Sequence, residues 1–266
     1  MYDLFNRHIT YLRISVTDRC NLRCTYCMPE EGVNLLKHND ILSFDEIVDF
    51  TRVAVHMGVN KVRITGGEPL VRKGIVDLVG LIAKIEGITD LAMTTNAILL
   101  KQFAKPLHDA GLMRVNISLD TINPDKFKQI TRVGNLNDVL EGIQTAKAVG
   151  FNPIKINCVV KESSNEPDAL EVKKFAHDNG LQVRFIPLMD LNTGVHGVVD
   201  GGEGGDCARC NRLRLTANGI VKPCLFSDLG YNVRELGARQ AILSAISNKP
   251  ACGGVSTNSE FYNVGG

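Results

Sequence analysis

The chain has 266 residues, of which 44% are hydrophobic and 22% charged, and its formal net charge is +1. This length fits one large α/β domain with an appendage, and the charge balance excludes a global basic field that would recruit nucleic acid. Residues 1–12 lack a basic stretch followed by an apolar run, and no run of about 18 uncharged apolar residues occurs anywhere. We therefore expect no signal peptide, no membrane span and a cytoplasmic location, in which the eight cysteines do not form a disulfide framework.

Strand and helix patterns alternate in six rounds before residue 190. The predicted strands are 9–16, 61–65, 88–95, 112–120, 153–160 and 182–189. The predicted helices are 43–58, 74–86, 99–110, 138–150 and 168–179, the first with a capping box at Ser43 and Glu46. This order predicts a parallel sheet with helices outside, and six rounds are fewer than the eight of a closed barrel. An incomplete barrel and a doubly wound sheet both remain open, and in either one ligands bind at the C-terminal ends of the strands.

The pattern changes after residue 190. The glycine-rich stretch 192–206 predicts a flexible connection, and a hairpin with an Ala-Asn-Gly turn follows in 207–224. One helix is predicted at 233–248. We accordingly divide the chain into a partial barrel at 1–191, a connection at 192–206 and a C-terminal region at 207–266.

Three cysteines follow the first predicted strand: Cys20, Cys24 and Cys27. A structural zinc site needs four ligands, so a zinc knuckle that lacks one ligand, or a set of core cysteines, is the plainer interpretation. The other is a [4Fe–4S] cluster held by three thiolates, with one iron left open. The spacing Cys-x3-Cys-x2-Cys, with Tyr26 before the last cysteine and Gly-Gly-Glu-Pro at 66–69 after the second strand, resembles the radical S-adenosylmethionine (SAM) superfamily. That resemblance implies that SAM fills the open coordination site.

A second group of cysteines has the spacing Cys-x2-Cys-x13-Cys and consists of Cys207, Cys210 and Cys224. A zinc ribbon completed by Cys252 or His196 is one interpretation, since a hairpin with Cys-x2-Cys is common in ribbons. Together with the first group, Arg212, Arg214 and the terminal Gly265-Gly266, this spacing closely resembles the GTP 3′,8-cyclases of molybdenum cofactor biosynthesis. The resemblance covers nearly the whole chain. It implies a second [4Fe–4S] cluster with three protein ligands, so Cys252 is not expected to be one of them.

The resemblance carries further expectations about fold, chemistry and partners. The fold is an incomplete (β/α)6 TIM-like barrel whose mouth is capped by a C-terminal iron–sulfur cluster region. The reaction is a radical cyclisation, in which a 5′-deoxyadenosyl radical takes hydrogen from the GTP ribose C3′ and that carbon attacks purine C8. A reducing electron donor would serve the enzyme, and a cyclic pyranopterin monophosphate synthase would consume the product. No nucleic acid or membrane partner is implied, and a homodimer stays an open alternative to a monomer.

Basic residues on separate predicted strands point to an anionic ligand. Arg13, Arg63, Lys155 and Arg184 would be unsatisfied charges in a closed core, whereas in a ligand cavity they converge on phosphates. Solvated charges at strand edges are the alternative. The resemblance carries GTP binding to Arg13, Arg63, Thr94, Lys155, Arg184, Arg212, Leu213 and Arg214. It carries SAM binding to Tyr26, Gly67, Ser118 and Met189, and a catalytic role to Gly265 and Gly266.

Other features restrict this interpretation. The segment between the sixth strand and the second cysteine group is shorter than the family pattern, as is the tail after Cys224, so the open side of the barrel would be closed differently. Cys158 alternates with apolar residues and is expected in the core, and the six histidines show no ligand-like pairing. Two rival functions remain: a radical SAM peptide maturase with an auxiliary cluster, and a zinc-ribbon binding module on an inert barrel.

Deletion of Gly265 and Gly266 tests the role implied for the tail. Glycines have no side chain, so any function must come from their backbone and the terminal carboxylate. We expect the truncated protein to keep its fold, both clusters and uncoupled SAM cleavage, and to lose most GTP cyclisation. Parallel assays of 5′-deoxyadenosine and cyclised nucleotide measure this, and full cyclisation by the truncated chain would show that the tail is dispensable.

Overall fold

The computed structural model describes residues 1–190 and 192–257. Its centre is a nine-stranded sheet in the order β6-β5-β4-β3-β2-β1-β7-β8-β9. The strands are β1 Tyr11–Ser15, β2 Lys61–Thr65, β3 Asp90–Thr95, β4 Arg114–Ser118, β5 Lys155–Val160, β6 Gln182–Pro187, β7 Arg212–Leu215, β8 Ile220–Lys222 and β9 Tyr231–Asn232. Strands β1 to β7 pair in parallel, and β8 and β9 complete an antiparallel meander.

Eight helices accompany these strands in the described part of the chain. They are α1 Phe44–His56, α2 Ile75–Ala83, α3 Leu100–Asp109, α4 Pro124–Thr131, α5 Leu136–Ala148, α6 Pro167–Asp178, α7 Val233–Leu236 and α8 Ala238–Ser247. Helix α1 begins with the expected capping box, in which Ser43 Oγ accepts from Glu46 N and the Glu46 carboxylate accepts from Ser43 N. None of the helices in this part of the chain is both long and apolar enough to cross a bilayer.

Successive side chains of each strand point to opposite faces of the sheet, so one face borders the hydrophobic core and the other borders the cavity. In β1, Leu12 and Ile14 are completely buried in the main hydrophobic cluster, beside Ile64 of β2 and Met93 of β3. Arg13 lies between them in sequence and therefore points to the opposite face of the sheet. The apolar face packs against the helices, which leaves the other face to line an internal cavity.

The fold class predicted from the sequence is confirmed, and the differences are local. The six predicted strands are all present, and β2 has the predicted bounds. Helix α4 was not predicted, because its eight residues carry only two buried side chains, Phe127 and Thr131. The helix predicted at 233–248 is two helices, since Gly237 adopts φ 75° and ψ 154° between them.

The sheet continues across the segment predicted to be a flexible connection. Strand β7 pairs with β1, so the C-terminal region extends the same sheet. Within 192–206, Asp200 N and O exchange backbone hydrogen bonds with Phe185 of β6 at 3.0 and 2.9 Å. The glycine-rich segment is therefore attached to the opposite edge of the sheet and lies across the open side of the barrel.

Two helical glycines give a matched test of packing. A Cβ on Gly142 of α5 would lie 2.7 Å from the Ala97 carbonyl oxygen, whereas one on Gly80 of α2 would meet no atom nearer than 3.9 Å. We expect Gly142→Ala to lower the free energy of unfolding by about 1–3 kcal/mol through overpacking. Gly80→Ala should raise it by up to about 1 kcal/mol, because alanine has the higher helix propensity. Chemical denaturation of the reduced protein measures both, and equal effects would contradict the packing described.

Candidate active site

A cavity of about 430 Å³ runs through the barrel between its two ends. Sixteen of the residues predicted from the sequence line it: Arg13, Cys20, Cys24, Tyr26, Cys27, Arg63, Gly67, Thr94, Ser118, Arg184, Met189, Cys207, Cys210, Arg212, Arg214 and Cys224. Lys155 and Leu213 are outside this lining, and the Leu213 side chain is buried in the hydrophobic core. Gly265 and Gly266 lie outside the described residues.

The two cysteine groups occupy opposite ends of the cavity. The first group follows the C-terminal end of β1, whereas Cys207 and Cys210 precede the N-terminal end of β7, which is parallel to β1. Cys224 follows β8, which runs antiparallel to β7, and so returns to the same end. A strand of five residues separates these ends by about 16 Å. The second group therefore does not lie at the rim that carries the first.

Helix α4 and the residue after it hold the first cysteine loop in place. The backbone N–H of Thr25 donates to Ile130 O at 2.9 Å. Arg132, in a left-handed conformation, donates from Nη1 to the carbonyls of Arg23 and Met28 at 2.8 and 2.9 Å. Both sides of the loop are thus fastened to the end of α4, which gives the unpredicted helix a clear structural role.

The three thiols of this loop are poorly suited to ionise without a cation. Burial, followed by the neighbouring Cys27, Asp120 and Cys20, raises the pKa of Cys24 to about 12. Burial and then Cys20 raise the pKa of Cys27 to about 11. A metal cluster that binds the thiolates would remove this penalty, and three cysteines in one turn suit a cluster with three protein ligands. The residues fit the predicted [4Fe–4S] site.

The Gly-Gly-Glu-Pro loop packs directly against the strand end that leads into the cysteine loop. Gly67 N donates to Thr17 O at 2.7 Å and Glu68 N to Arg19 O at 2.8 Å. A Cβ on Gly67 would lie 2.4 Å from the Arg19 carbonyl oxygen, so only glycine fits there. The motif therefore brings the backbone at 66–67 against the segment that carries Cys20.

Glu68 connects this loop to the next strand. Its buried carboxylate accepts hydrogen bonds from Thr95 Oγ1 and Asn96 N, both at 2.7 Å, and from Leu70 N at 3.0 Å. Burial raises the pKa of Glu68 to about 7, although these bonds lower it. Asn96 Nδ2 in turn donates to Asn21 Oδ1 at 2.8 Å. Asn96 was not predicted; its position directly after β3 is the signal that could have identified it.

Three of the four residues predicted to bind SAM, Tyr26, Gly67 and Ser118, lie at this end of the cavity. The Tyr26 hydroxyl donates to Asp120 Oδ2 at 2.7 Å, and burial followed by the Asp120 carboxylate raises the pKa of Tyr26, so it stays a phenol. Asp120 also accepts from Val159 N at 2.8 Å. Ser118 is the last residue of β4, and Met189 packs against the small cluster of Leu225 and Phe226.

Arginines of three adjacent strands form a row across the middle of the cavity. The register places Arg13 of β1 opposite Arg63 of β2 and Arg214 of β7. Burial lowers the pKa of each to about 10, so all three remain charged at neutral pH. One step towards the N-terminal ends of the strands, Tyr11 lies opposite Lys61 and Arg212. Its ring lies 5.6 Å from the guanidinium carbons of both Arg63 and Arg212.

The row and the neighbouring Arg212 carry unused hydrogen-bond donors. The Nε atoms of Arg63 and Arg212 are buried and, among the described residues, have no hydrogen-bond partner. Arg63 Nη1 reaches Thr94 Oγ1 at 3.4 Å. Buried donors without acceptors are costly, and guanidinium groups bind phosphate oxygens in pairs. The row therefore fits a polyanion such as a triphosphate.

Further cations lie on β4, β5 and β6. Burial and then Arg184 lower the pKa of Lys155, which places Lys155 in the field of the cavity although it does not line it. Arg114, which was not predicted, lines the cavity in an ion pair with Asp90 at 2.5 Å. Arg114 is a basic residue on a strand of the parallel sheet, as Arg63 is. That pattern is the sequence signal that could have identified it.

The second cysteine group contains one pairing that differs from expectation. Cys207 forms a disulfide with Cys252. Cys210 and Cys224 are free thiols beside Lys249, whose charge, with Arg212, outweighs the effect of burial and lowers the pKa of Cys210. His196, which the zinc-ribbon interpretation offered as a fourth ligand, lies 3.4 Å from Cys207 Sγ. A three-thiolate cluster fits here once the disulfide is reduced. Cys158 is buried in the core, as predicted.

Solved structures share this fold at low sequence identity. SuiB of Streptococcus suis bound to its precursor peptide SuiA superposes with a TM-score of 0.70 at 16% identity, over 92% of this chain and 66% of that chain. The enzyme anSMEcpe with bound AdoMet superposes with a TM-score of 0.65 at 17% identity, over 91% of this chain and 78% of that one. These similarities establish the partial-barrel architecture.

Sequence comparison identifies the family. The model of the radical SAM superfamily matches residues 14–176. GTP 3′,8-cyclase of Thermodesulfovibrio yellowstonii is 42% identical over 304 aligned positions that include 94% of each chain. The enzyme of the same name from Geobacter sulfurreducens is 42% identical over 279 positions, with 88% of this chain and 86% of that protein aligned. The chain belongs to the GTP 3′,8-cyclase family of the radical SAM superfamily.

Proposed function

We propose that this chain converts GTP to (8S)-3′,8-cyclo-7,8-dihydroguanosine 5′-triphosphate, the first step of molybdenum cofactor biosynthesis. The cofactors of the family are SAM and two [4Fe–4S] clusters. The observation that carries the proposal is the arrangement of one cavity with a cysteine group at each end and a row of arginines between them. That arrangement can hold a triphosphate between two metal centres.

At the first end, Cys20, Cys24 and Cys27 would hold the cluster that binds SAM. When bound, this cluster and SAM supply the hydrogen-atom abstraction at ribose C3′ that allows C3′ to bond to purine C8. The protein contributes position and exclusion of water: Gly67 offers backbone without a side chain, and Tyr26 and Ser118 line this end of the cavity, which Met189 also lines further along. The hydrogen bond from Tyr26 to Asp120 fixes the phenol ring.

In the middle of the cavity, the cations would bind the triphosphate. Arg13, Arg63 and Arg214 form the row, and Thr94, Arg184 and Arg212 line the same space. Lys155 adds positive charge from just outside the lining. Leu213 is best explained as the core residue that sets the orientation of its two arginine neighbours, because alternation along β7 directs Arg212 and Arg214 into the cavity.

At the second end, Cys207, Cys210 and Cys224 would hold the other cluster, and its open iron would bind the guanine edge. Loading requires reduction of the bond between Cys207 and Cys252, because a cluster ligand must be a thiolate. An external reductant would deliver the electrons, and a cyclic pyranopterin monophosphate synthase would take the product. Gly265 and Gly266 would act at the nucleotide, as the sequence pattern suggests.

Turnover with defined substrates tests the function. Protein reconstituted anaerobically with iron and sulfide is incubated with SAM, a reductant and GTP, and the cyclised nucleotide is quantified by mass spectrometry. Parallel reactions contain a peptide in place of GTP. Formation of the cyclised nucleotide supports the proposal; modification of peptide alone would favour a maturase. A protein that binds zinc and takes up no iron or sulfide at either cysteine group would favour a binding module.

Replacing one cysteine of the first group separates cluster chemistry from folding. We expect Cys24→Ala to leave a folded protein that does not cleave SAM, because two thiolates do not hold a stable cluster. The matched control is Cys158→Ala, which removes a buried thiol outside the cavity lining. 5′-Deoxyadenosine measured by chromatography reports the outcome, and cleavage by Cys24→Ala at the parent rate would show that the loop is assigned wrongly.

Arg63 offers a test of the phosphate row. We expect Arg63→Gln to raise the KM for GTP about 10- to 100-fold, since a charge-assisted hydrogen bond contributes about 1.5–3 kcal/mol. Uncoupled SAM cleavage should not change. Arg52→Gln is the control, because Arg52 makes an exposed ion pair with Asp49 and its side chain is 60% accessible. An unchanged KM in Arg63→Gln would place the triphosphate elsewhere.

A further inference from the structure

Three potential metal ligands meet at the second end of the cavity. His196 Nε2 lies 3.4 Å from Cys207 Sγ and 3.7 Å from Cys252 Sγ. The three ligand atoms are all within 4.8 Å of one another. Two of these residues, His196 and Cys252, belong to neither cysteine group described above. The proposed reaction therefore does not explain why these three side chains lie together.

The histidine ring is already in the tautomer that binds metal. His196 Nδ1 lies 2.9 Å from Gly194 O, and a carbonyl only accepts, so Nδ1 carries the proton. Nε2 is then left with a free lone pair directed towards the two sulfurs. In metal sites, one ring nitrogen of a ligating histidine binds the metal, and the other commonly donates its N–H to a backbone carbonyl. Stacking on Phe226, with 4.6 Å between ring centroids, fixes the ring plane.

A buried guanidinium holds the two cysteines together. Arg7 Nη1 donates to Cys207 O and to Ala251 O, both at 2.8 Å, and Nη2 donates to Pro250 O at 2.6 Å. Arg7 is itself paired with buried Asp3 at 2.6 Å. Because one rigid group binds the backbone beside both cysteines, Cys252 is held in position even though its own side chain is exposed.

The distances suit one tetrahedral ion better than one cluster. A tetrahedral Zn²⁺ with ordinary bond lengths separates a ligating nitrogen from a sulfur by about 3.5 Å and two sulfurs by about 3.8 Å. The two nitrogen–sulfur distances, 3.4 and 3.7 Å, already match. Only the two sulfurs must separate, and they do so when the disulfide is reduced. Reduction takes two electrons from a phosphine, which becomes its oxide, or from two thiols, which become a disulfide. The two protons come from water or from those thiols, and metal binding releases both of them.

We propose that His196, Cys207 and Cys252 form a mononuclear site for a soft divalent metal such as Zn²⁺. The site shares Cys207 with the second iron–sulfur group, so each chain can hold either the zinc ion or the second cluster, but not both. Zinc bound at this site would have to leave before the second cluster forms.

Zinc titration of the full chain tests the site. The titration uses a background variant in which Cys20, Cys24 and Cys27 are replaced by serine. This protein is free of clusters, is reduced with a phosphine and is kept under anaerobic conditions. Zn²⁺ is titrated against a chromophoric chelator, and Co²⁺ absorption reports the number of thiolate ligands. We expect Cys252→Ser and His196→Ala each to weaken binding about 100-fold, because one ligand of the site is lost. Cys224→Ser is the control and should bind within about threefold of the background.

The opposite pattern would overturn the proposal. Loss of Zn²⁺ in Cys224→Ser together with tight binding in Cys252→Ser would show that the metal uses the three cluster cysteines alone. A second measurement starts from the parent chain with its own first group. Preloaded Zn²⁺ should lower the iron taken up on reconstitution by about four per chain, and Cys252→Ser should abolish this effect. Equal inhibition in both proteins would contradict the shared ligand. Neither readout depends on GTP turnover, so the proposed function can fail independently.

Discussion

Three arginines lie side by side on adjacent strands, and the internal cavity depends on the repulsion between their charges. Neighbouring strands lie about 4.8 Å apart, so the guanidinium groups of Arg63, Arg13 and Arg214 repel one another directly. Leu12 and Ile14 on the other face of β1 are buried in the core, so the strand cannot rotate to relieve the repulsion. The sheet is stable only if the arginine face borders water or an anion. The cavity is therefore a requirement of the sequence, and a bound triphosphate would offset the repulsion among the three arginines.

The two ends of this cavity differ in how far the sequence could predict them. The Cys20–Cys27 loop and the Gly-Gly-Glu-Pro loop follow adjacent parallel strands. Because the C-terminal ends of parallel strands lie at the same edge of a sheet, the sequence order alone predicts that these loops meet. The pairing of β1 with β7 joins residues about 200 positions apart and leaves no local pattern, so the location of the second cysteine group at the opposite end was not predictable. The sequence offered Cys252 or His196 as a fourth ligand of the second group. It did not indicate that both lie beside Cys207, because the Arg7 contacts at 207, 250 and 251 join distant parts of the chain.

The glycine-rich segment explains how a shorter chain closes the same architecture. The alignment with the Thermodesulfovibrio yellowstonii enzyme spans 304 positions but includes 94% of 266 residues, about 250, so about 50 positions have no counterpart here. In place of a longer connection, residues 192–206 lie against β6 through Asp200. Gly205 approaches the Gly197 backbone so closely that a Cβ would collide with it. The glycine-rich composition of residues 192–206 suggested a flexible segment. Glycines also allow two stretches of backbone to pack closely, and in this segment they are used for packing.

The position of β1 between β2 and β7 also affects how the chain is made. Ribosomes add about 5–20 residues per second, so about 10–40 s pass between the synthesis of Tyr11 and that of its partner Arg212. During that interval β2 can cover one edge of β1 while the other edge exposes unpaired backbone groups, a template for wrong strand pairing. The arginine at the centre of β1 discourages a second apolar strand from pairing there. A residue suited to the finished cavity would thus also protect the nascent chain.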